Sequence, residues 1–182
     1  MRTTLKKVLS TAVALIMLFS LSSCSLNQYD EEKVGKDMEE ILTQLLETVQ
    51  EGNKELFKTF FAYHVVELPD FEEGLNYVFE KYQGYLLDVK LRSAGHTGDE
   101  IRPGEHRYYA YMTFIATTSE KEYMICVEFY TKYESENPEE PYKIRKFSLL
   151  AKQEDGNFED DGMGFNLRYG IYYPGWIDED SI

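Results

Sequence analysis

The segment EYMICVEFYTKY, residues 122–133, decides the fold class of this 182-residue chain. Apolar side chains occupy every second position of the segment, which is the period of a β-strand with one buried face. The opposite positions carry mainly charged or small groups, so they are expected to face away from the core. The apolar positions are Tyr123, Ile125, Val127 and Phe129, and the opposite ones include Glu122, Cys126, Glu128 and Lys132.

Segments on both sides of this strand show the same alternation and predict a curved antiparallel sheet of about four long strands. Short connections favour antiparallel pairing of consecutive strands, and unusual strand length favours β-bulges. In the first strand, Tyr85, Leu87 and Val89 are expected to face the core. Residues 93–105 are expected to form a polar loop. The predicted strands are 85–92, 106–118, 122–133 and 142–152.

Three helices are predicted before the sheet. The fold class is therefore α+β, with three N-terminal helices packed on the sheet. Apolar residues recur with helical spacing in each helix, and Gly52 and Gly84 end the first and the third. The segment from Tyr63 to Leu68 is expected to be extended. The predicted helices are residues 31–50, 53–62 and 70–83.

The first 23 residues are typical of a secretory signal peptide. Arg2, Lys6 and Lys7 give it a positive start. Residues 8–21 form a mainly apolar stretch, which is shorter than the ~20 residues that a membrane-spanning helix needs. The sequence therefore predicts export of the chain.

The apolar stretch ends in Leu21-Ser22-Ser23-Cys24, which resembles a bacterial lipobox. The resemblance implies cleavage before Cys24, lipidation of its sulfur, and retention on the extracytoplasmic face of the cell membrane. Residues 24–30 would then be a lipidated tether. Residues 31–182 would form a single domain that includes a docked aromatic C-terminal segment.

Several short motifs together carry a resemblance to a known group of proteins. They are the lipobox at Cys24, the acidic first helix with Ile41-Leu42 and Leu45-Leu46, the second helix with Leu56-Phe57 and Phe60, Val127–Tyr130 in the sheet, the turn at Asn137-Pro138, and the tail Gly170–Pro174. With these motifs, the chain is similar to a family of uncharacterised Gram-positive lipoproteins with a domain of unknown function. The order of helices and strands resembles the cone-shaped, cystatin-like fold of nuclear transport factor 2-like proteins. The resemblance implies a fold, but no catalytic or ligand residues.

Charge and composition exclude some functions. A formal net charge of −14 argues against nucleic acid as a partner, because phosphate contacts need clustered Lys and Arg. Only Cys126 would remain unmodified after cleavage, so no intramolecular disulfide is expected. The sequence has no nucleotide-binding glycine motif and no Gly-x-Ser-x-Gly, and no cofactor is predicted.

The histidines do not form a metal-binding pattern. His64, His96 and His106 are spaced too widely for a helical metal site. His96 and His106 flank the predicted polar loop with Asp99 and Glu105, where a zinc or acid–base site is conceivable. A solvated loop is the preferred interpretation, and no metal site is predicted there.

The acidic stretch 155–162 carries oxygen side chains at alternate positions, as calcium loops do. Its sixth position is Asp160 instead of Gly, and the twelfth is Asn166 instead of Glu. An acidic loop is therefore preferred to a calcium site.

Acids on the strands are expected to lie on the surface. Asp88 and Glu128 lie opposite the apolar faces of their strands, where a ladder of surface ion pairs is expected. Cys126 shares its strand face with acids, which blunts the reactivity of a thiol. No catalytic residue is predicted.

Tyrosine is abundant, with 15 residues. On neighbouring strands these side chains could line a pocket or partner surface, or pack a curved sheet, and the sequence leaves both open. The tail from Tyr169 to Ile177 is too apolar to remain in water, so it is expected to dock on the body or to meet a partner. The strand tyrosines are Tyr108, Tyr109, Tyr111, Tyr123, Tyr130 and Tyr133.

These observations favour a non-enzymatic binding domain, held to the membrane by the lipid on Cys24. Its ligand would be a small molecule in the cone or another envelope protein. Two alternatives stay open. An isomerase- or dehydratase-like enzyme would need an acid–base pair inside the cone, and an acidic immunity or inhibitor protein would need a basic partner.

Overall fold

A computed structural model of the chain describes residues 30–103, 105–134, 142–159 and 170–172. These residues form a mixed α+β fold, as predicted. The helices are α1 (Glu31–Gln50), α2 (Lys54–Lys58), α3 (Tyr63–Val66) and α4 (Phe71–Lys81). The strands are β1 (Leu86–Arg102), β2 (Glu105–Thr118), β3 (Glu122–Glu134), β4 (Ile144–Ala151) and β5 (Gly170–Tyr172).

The described part of the chain has one more helix than the three predicted, because Tyr63–Val66 is a helical turn and not extended. The backbone amides of Val65 and Val66 both donate to the carbonyl of Ala62. Tyrosine and β-branched valine favour extended backbone, but Val65 is completely buried in this turn. Packing of that side chain therefore overrides the local preference.

The five described strands follow one another in the sheet in the order β1-β2-β3-β4-β5. The first four pair antiparallel, as predicted for consecutive strands with short connections. The short strand β5 pairs with β4 in the parallel direction, so the sheet is mixed and not purely antiparallel. β5 brings Ile171 against Gly74 of α4.

The predicted polar loop at residues 93–105 is wrong, because most of it extends β1. Glycine usually weakens a strand, but here two glycines make room for rings on β2. A Cβ atom at Gly95 would lie 2.3 Å from Cδ1 of Tyr111, and one at Gly98 would lie 2.5 Å from the hydroxyl oxygen of Tyr109. Ring coverage over bare backbone lets this polar segment form a strand.

A β-bulge corrects the predicted face of the first strand. Leu86 pairs with Thr118 and Asp88 with Thr117, so Leu87 is an extra residue on β1. Tyr85 and Leu87 are consequently 77% and 67% exposed, instead of facing the core. Val89 lies beyond the bulge and is buried as predicted.

The core lies between the helices and one face of the sheet. All four apolar positions predicted for the strand at 122–133 are completely buried there. Phe57 and Phe61 from the helical segment meet Phe147 of β4, with ring centroids 6.2 Å and 6.1 Å away. The opposite side of the sheet, called here the polar face, carries the other half of the strand residues.

Candidate ligand-binding site

The polar face places side chains from β2, β3 and β4 in rows across the sheet. Strand alternation fixes these rows, since every second residue points to the same side. One row contains Thr113, Cys126 and Ser148, and the next contains Tyr111, Glu128 and Lys146. Tyr109 and Tyr130 pair in the row beyond.

Glu128 is buried in the middle of the polar face, with 3% of its surface exposed. Its Oε1 lies 3.0 Å from Arg145 Nε and 3.3 Å from Lys146 Nζ. A bulge in β4 brings these two consecutive residues to one carboxylate. The predicted surface ladder is therefore wrong for Glu128, because a carboxylate this deeply buried needs close cationic partners.

Asp88 lies at the surface as predicted, but its ion pair with Lys90 joins two residues of the same strand and is not a cross-strand ladder. Both residues lie on β1, where water still reaches them. Asp88 and Glu128 differ in how deeply they are buried. β1 is the first strand of the described sheet order and its polar face is open to water, whereas β3 has a neighbouring strand on each side.

Tyrosine rings and arginines stack beside Glu128. The guanidinium carbon of Arg145 lies 4.2 Å from the ring centroid of Tyr109, and Arg107 Nη1 donates a 3.1 Å hydrogen bond to the Tyr130 hydroxyl. Burial raises the pKa of Tyr130, and the hydrogen bond from Arg107 opposes that rise. His64 Nε2 lies 3.5 Å from the same hydroxyl. This group packs the sheet through charge and aromatic contacts.

An open pocket of about 550 Å³ lies on the polar face next to Tyr111. Thr113 joins the two, because its hydroxyl donates to the Tyr111 hydroxyl at 3.3 Å. The pocket combines a cation, hydroxyl and amide groups, and apolar surface. Its lining includes Arg92, Ser93, Thr113, Met124, Asn157 and Phe158.

Arg92 crosses one side of this pocket. Its Nη1 lies 3.1 Å from Met124 Sδ, and its guanidinium carbon lies 5.7 Å from the ring centroid of Phe158. Other basic residues nearby are ion-paired, as in Lys90–Asp88 and Lys152–Glu122. Among the residues that the structure describes, no carboxylate forms an ion pair with Arg92.

The wall that carries Asn157 and Phe158 is a tight turn. Lys152 pairs with Phe158 across it, and Gly156 has a φ of 87°, which favours glycine. Asp155 accepts hydrogen bonds from the amide nitrogen of Asn157 at 2.9 Å and from its side-chain nitrogen at 3.0 Å. These two bonds hold the pKa of Asp155 below its ordinary value.

Glu159 connects the end of this turn to α4 and β4 through an ion pair and a hydrogen bond. Its Oε1 forms a 2.5 Å ion pair with Lys81 of α4, and its Oε2 accepts from the backbone amide of Ala151 at 3.2 Å. The pocket wall is therefore held at both ends, which reduces the ordering cost of binding a ligand there.

The histidine and calcium candidates do not assemble into a metal site in the described part of the chain. His106 Nε2 lies 2.9 Å from Asp99 Oδ2, and its Nδ1 lies 3.1 Å from the Tyr108 hydroxyl. Asp155 and Asn157 bind each other. No group of three His, Cys, Asp or Glu side chains comes together among those residues. Cys24, Asp160 and the side chain of His96 lie outside the description.

The strand tyrosines divide between the two uses that the sequence leaves open. Tyr123 serves packing, because it is buried against the helices and its hydroxyl donates to the carbonyl of Lys81 at 3.0 Å. Tyr109, Tyr111 and Tyr130 lie on the polar face, where Tyr109 and Tyr130 pack with the arginines and Tyr111 lies next to the pocket through its hydrogen bond with Thr113. The side chain of Tyr133 lies outside the description.

Sequence reasoning missed the pocket residues Arg92 and Phe158. Arg92 stands at a register shift of β1 and Phe158 in a turn far along the chain, so neither belongs to a motif. The buried charged residues Arg107, Glu128 and Lys146 left only a weak signal in the sequence. Each of them occupies an outward position of a predicted strand, which indicates the face of its side chain but not its burial.

Within the described ranges, no helix is long and apolar enough to cross a membrane. No curated protein matches the chain, and no solved structure matches it. One family model does match, and it covers residues 44–141. The chain therefore belongs to the family described as "Domain of unknown function (DUF5104)".

Proposed function

We propose that this protein is a lipid-anchored, extracytoplasmic binding domain without enzymatic activity, and that it binds a small molecule in the pocket between Arg92 and Phe158. One observation carries the proposal. In a chain with 33 acidic and 19 basic residues, Arg92 lies in an open pocket and has no ion-pair partner among the described carboxylates. A pocket with a cation, hydroxyls and apolar walls is typical of small-molecule sites.

The space between the helices and the sheet supports an enzymatic function less well than a binding function. An isomerase- or dehydratase-like mechanism would need an acid–base pair there. The one buried acid among the described residues is Glu128, which lies on the polar face, and none of their buried side chains is a histidine. We infer that the ligand site lies on the polar face and not in the interior.

We also infer that the fold is the cone-shaped, cystatin-like one suggested by the order of elements. The support is a long helix, α1, packed on a meander of four antiparallel strands that contain β-bulges. Bulges increase strand twist and bend, which such a fold requires.

Anchoring is proposed through Cys24, whose surroundings resemble a lipobox. Intact mass of membrane-extracted protein should show a chain that begins at Cys24 with a diacylglyceryl adduct. Cys24→Ala should leave the chain uncleaved or release it into the medium. An unmodified thiol at Cys24 in membrane-extracted protein would refute the anchor.

Binding is tested by methyl NMR of the full chain with labelled methionines. Met124 lines the pocket, and Met124→Leu identifies its signal among those of the methionines. A set of neutral, anionic and cationic small aromatic fragments is titrated. We expect some of them to shift the Met124 signal. If no fragment of any charge shifts it, the pocket is not a ligand site.

A groove between α1 and β1 favours a second candidate, an acidic inhibitor that captures a basic envelope protein. The groove has a volume of about 460 Å³, and its described lining includes Glu39, Glu40, Glu47 and Asp88, with Lys36 as the one base in that lining. Exposed Leu87 lies in the same lining. A partner recovered from native membranes should be strongly basic and should dissociate with added salt, since screening weakens such contacts.

A further inference from the structure

The pocket on the polar face presents chemistry that selects one class of small molecule. The inference rests on the proposed function, because it names the ligand of the same pocket. We propose that this ligand is a small monocarboxylic acid with an aromatic or other flat apolar body. Its carboxylate would pair with Arg92, and its body would lie against Phe158 and Met124.

The carboxylate of the proposed ligand is inferred from the guanidinium group of Arg92. A guanidinium offers two parallel N–H donors that match the two oxygens of a carboxylate. In the described structure this guanidinium contacts only the sulfur of Met124 and the ring of Phe158. Neither is a strong acceptor, so a carboxylate would gain charge-assisted hydrogen bonds without displacing an ion pair.

The apolar body of the proposed ligand is inferred from the side chains that form the walls of the pocket. Phe158 offers a ring face that is partly exposed, and Met124 offers a thioether, which adapts to flat ligands. A bare anion would leave both walls in water, whereas an attached ring would cover them. Ser93 and Thr113 add hydroxyl groups that can orient polar substituents of the ring.

A single negative charge is assigned from the charge of the chain. Among the described residues that line this pocket, Arg92 is the only base. The chain has a formal net charge of −14, so a dianion would meet twice the long-range repulsion of a monoanion and find no second cation among the described lining residues. Phosphate monoesters are therefore expected to bind more weakly than carboxylates.

The test uses three probes that share one ring: benzoate, its neutral analogue benzamide, and the dianion phenyl phosphate. Each is titrated into the full chain by calorimetry, with the Met124 methyl signal as the reporter of position. We expect benzoate to bind roughly ten-fold or more tightly than benzamide, because a charge-assisted pair contributes at least one decade in affinity. Benzoate should also bind more tightly than phenyl phosphate, because the acidic chain repels a dianion more strongly than a monoanion.

Two matched variants distinguish a direct ion pair between Arg92 and the ligand carboxylate from an effect of the overall charge of the protein. Arg92→Gln should weaken benzoate binding by roughly 10- to 100-fold and leave benzamide binding nearly unchanged. Lys90→Gln removes the same charge two residues away on β1, outside the pocket lining, and should leave benzoate binding nearly unchanged. Phe158→Leu keeps Arg92 and should weaken benzoate and benzamide together.

Two results would overturn the inference. One is equal affinity for benzoate and benzamide, and the other is an equal loss of benzoate binding in Arg92→Gln and Lys90→Gln. If the probes shift the Met124 signal without any preference for the anion, only the ligand class is wrong. If no probe shifts it and no fragment of the wider set does so either, the proposed binding function fails as well.

Discussion

Glu39 on α1 accepts a hydrogen bond from the backbone amide of Leu91, with 2.6 Å between the carboxylate oxygen and the nitrogen. Leu91 lies on β1, which is the first strand of the described sheet order and is paired only with β2. Edge strands expose unpaired backbone donors that invite pairing with another chain. The Glu39 carboxylate caps one of these donors and joins the long helix to the edge of the sheet.

Replacement of Glu39 by Ala should destabilise the protein by about 1–2 kcal/mol, because a charge-assisted bond to a partly buried amide is lost. Glu40→Ala is the control, since Glu40 is an exposed neighbour on the same helix. Urea unfolding of both variants gives the comparison. Equal stability of the two variants would show that the bond contributes nothing.

The buried carboxylate of Glu128 should be far more sensitive than surface acids. Glu128→Ala should cost about 3–5 kcal/mol, because Arg145 and Lys146 lose the anion between them. Glu120→Ala, in the exposed turn between β2 and β3, should change stability by less than about 0.5 kcal/mol. Thermal unfolding measures both, and a cost for Glu128→Ala as small as that of the control would contradict the buried pairing.

The contact between Gly95 and Tyr111 predicts a compensating pair of substitutions. Gly95→Ala should destabilise the protein by about 1–3 kcal/mol, because the new methyl group would overlap the ring of Tyr111. Adding Tyr111→Ala should remove that extra cost. A double-mutant cycle measures the coupling, and additive effects would mean that the ring does not lie over the glycine.

Buried tyrosines predict a loss of stability in alkaline solution. Burial, helped by nearby Tyr123, raises the pKa of Tyr82 to about 12. The folded state therefore keeps its proton in the range from about pH 10 to 12, where the unfolded chain loses it. The contribution of Tyr82 is fully present below pH ~10 and decreases as the pH rises to about 12.

Stability measured by urea unfolding should thus fall with pH in this window, by at most about 1.4 kcal/mol per pH unit for each such proton. Tyr82→Phe should make the fall less steep. Tyr85→Phe is the control, because it removes a tyrosine hydroxyl at an exposed position. A slope that is the same in all three proteins would disprove the role of Tyr82.

Sequence periodicity predicted the elements whose faces differ strongly in polarity. α1 has the predicted bounds, and the apolar positions of β3 are buried as expected. The wrong predictions, of a loop at residues 93–105 and of the buried face of the first strand, have a common cause. Both features depend on contacts between residues far apart in sequence. The strand at Gly95 depends on a ring from β2, and the face of Leu87 depends on a bulge in the register with β2.

The candidate site was less predictable than the fold. Arg92 and Phe158 are 66 positions apart and come together only because the turn after β4 folds back over the sheet. The burial of Glu128 also depends on its position in the middle of the sheet, which strand periodicity does not report. Local patterns assign a residue to a face, whereas depth and neighbours depend on the whole sheet.

The parallel strand β5 has a consequence for the order in which the protein assembles. The four antiparallel strands pair between neighbours in sequence, so they can form as each hairpin becomes available. Gly170–Tyr172 must instead return to β4 from a point well beyond it, and Ile171 completes the contact with Gly74 on α4. Pairing of β5 with β4 joins segments that are distant in sequence, so it is expected to form after the hairpins of β1 to β4 and to complete the sheet last.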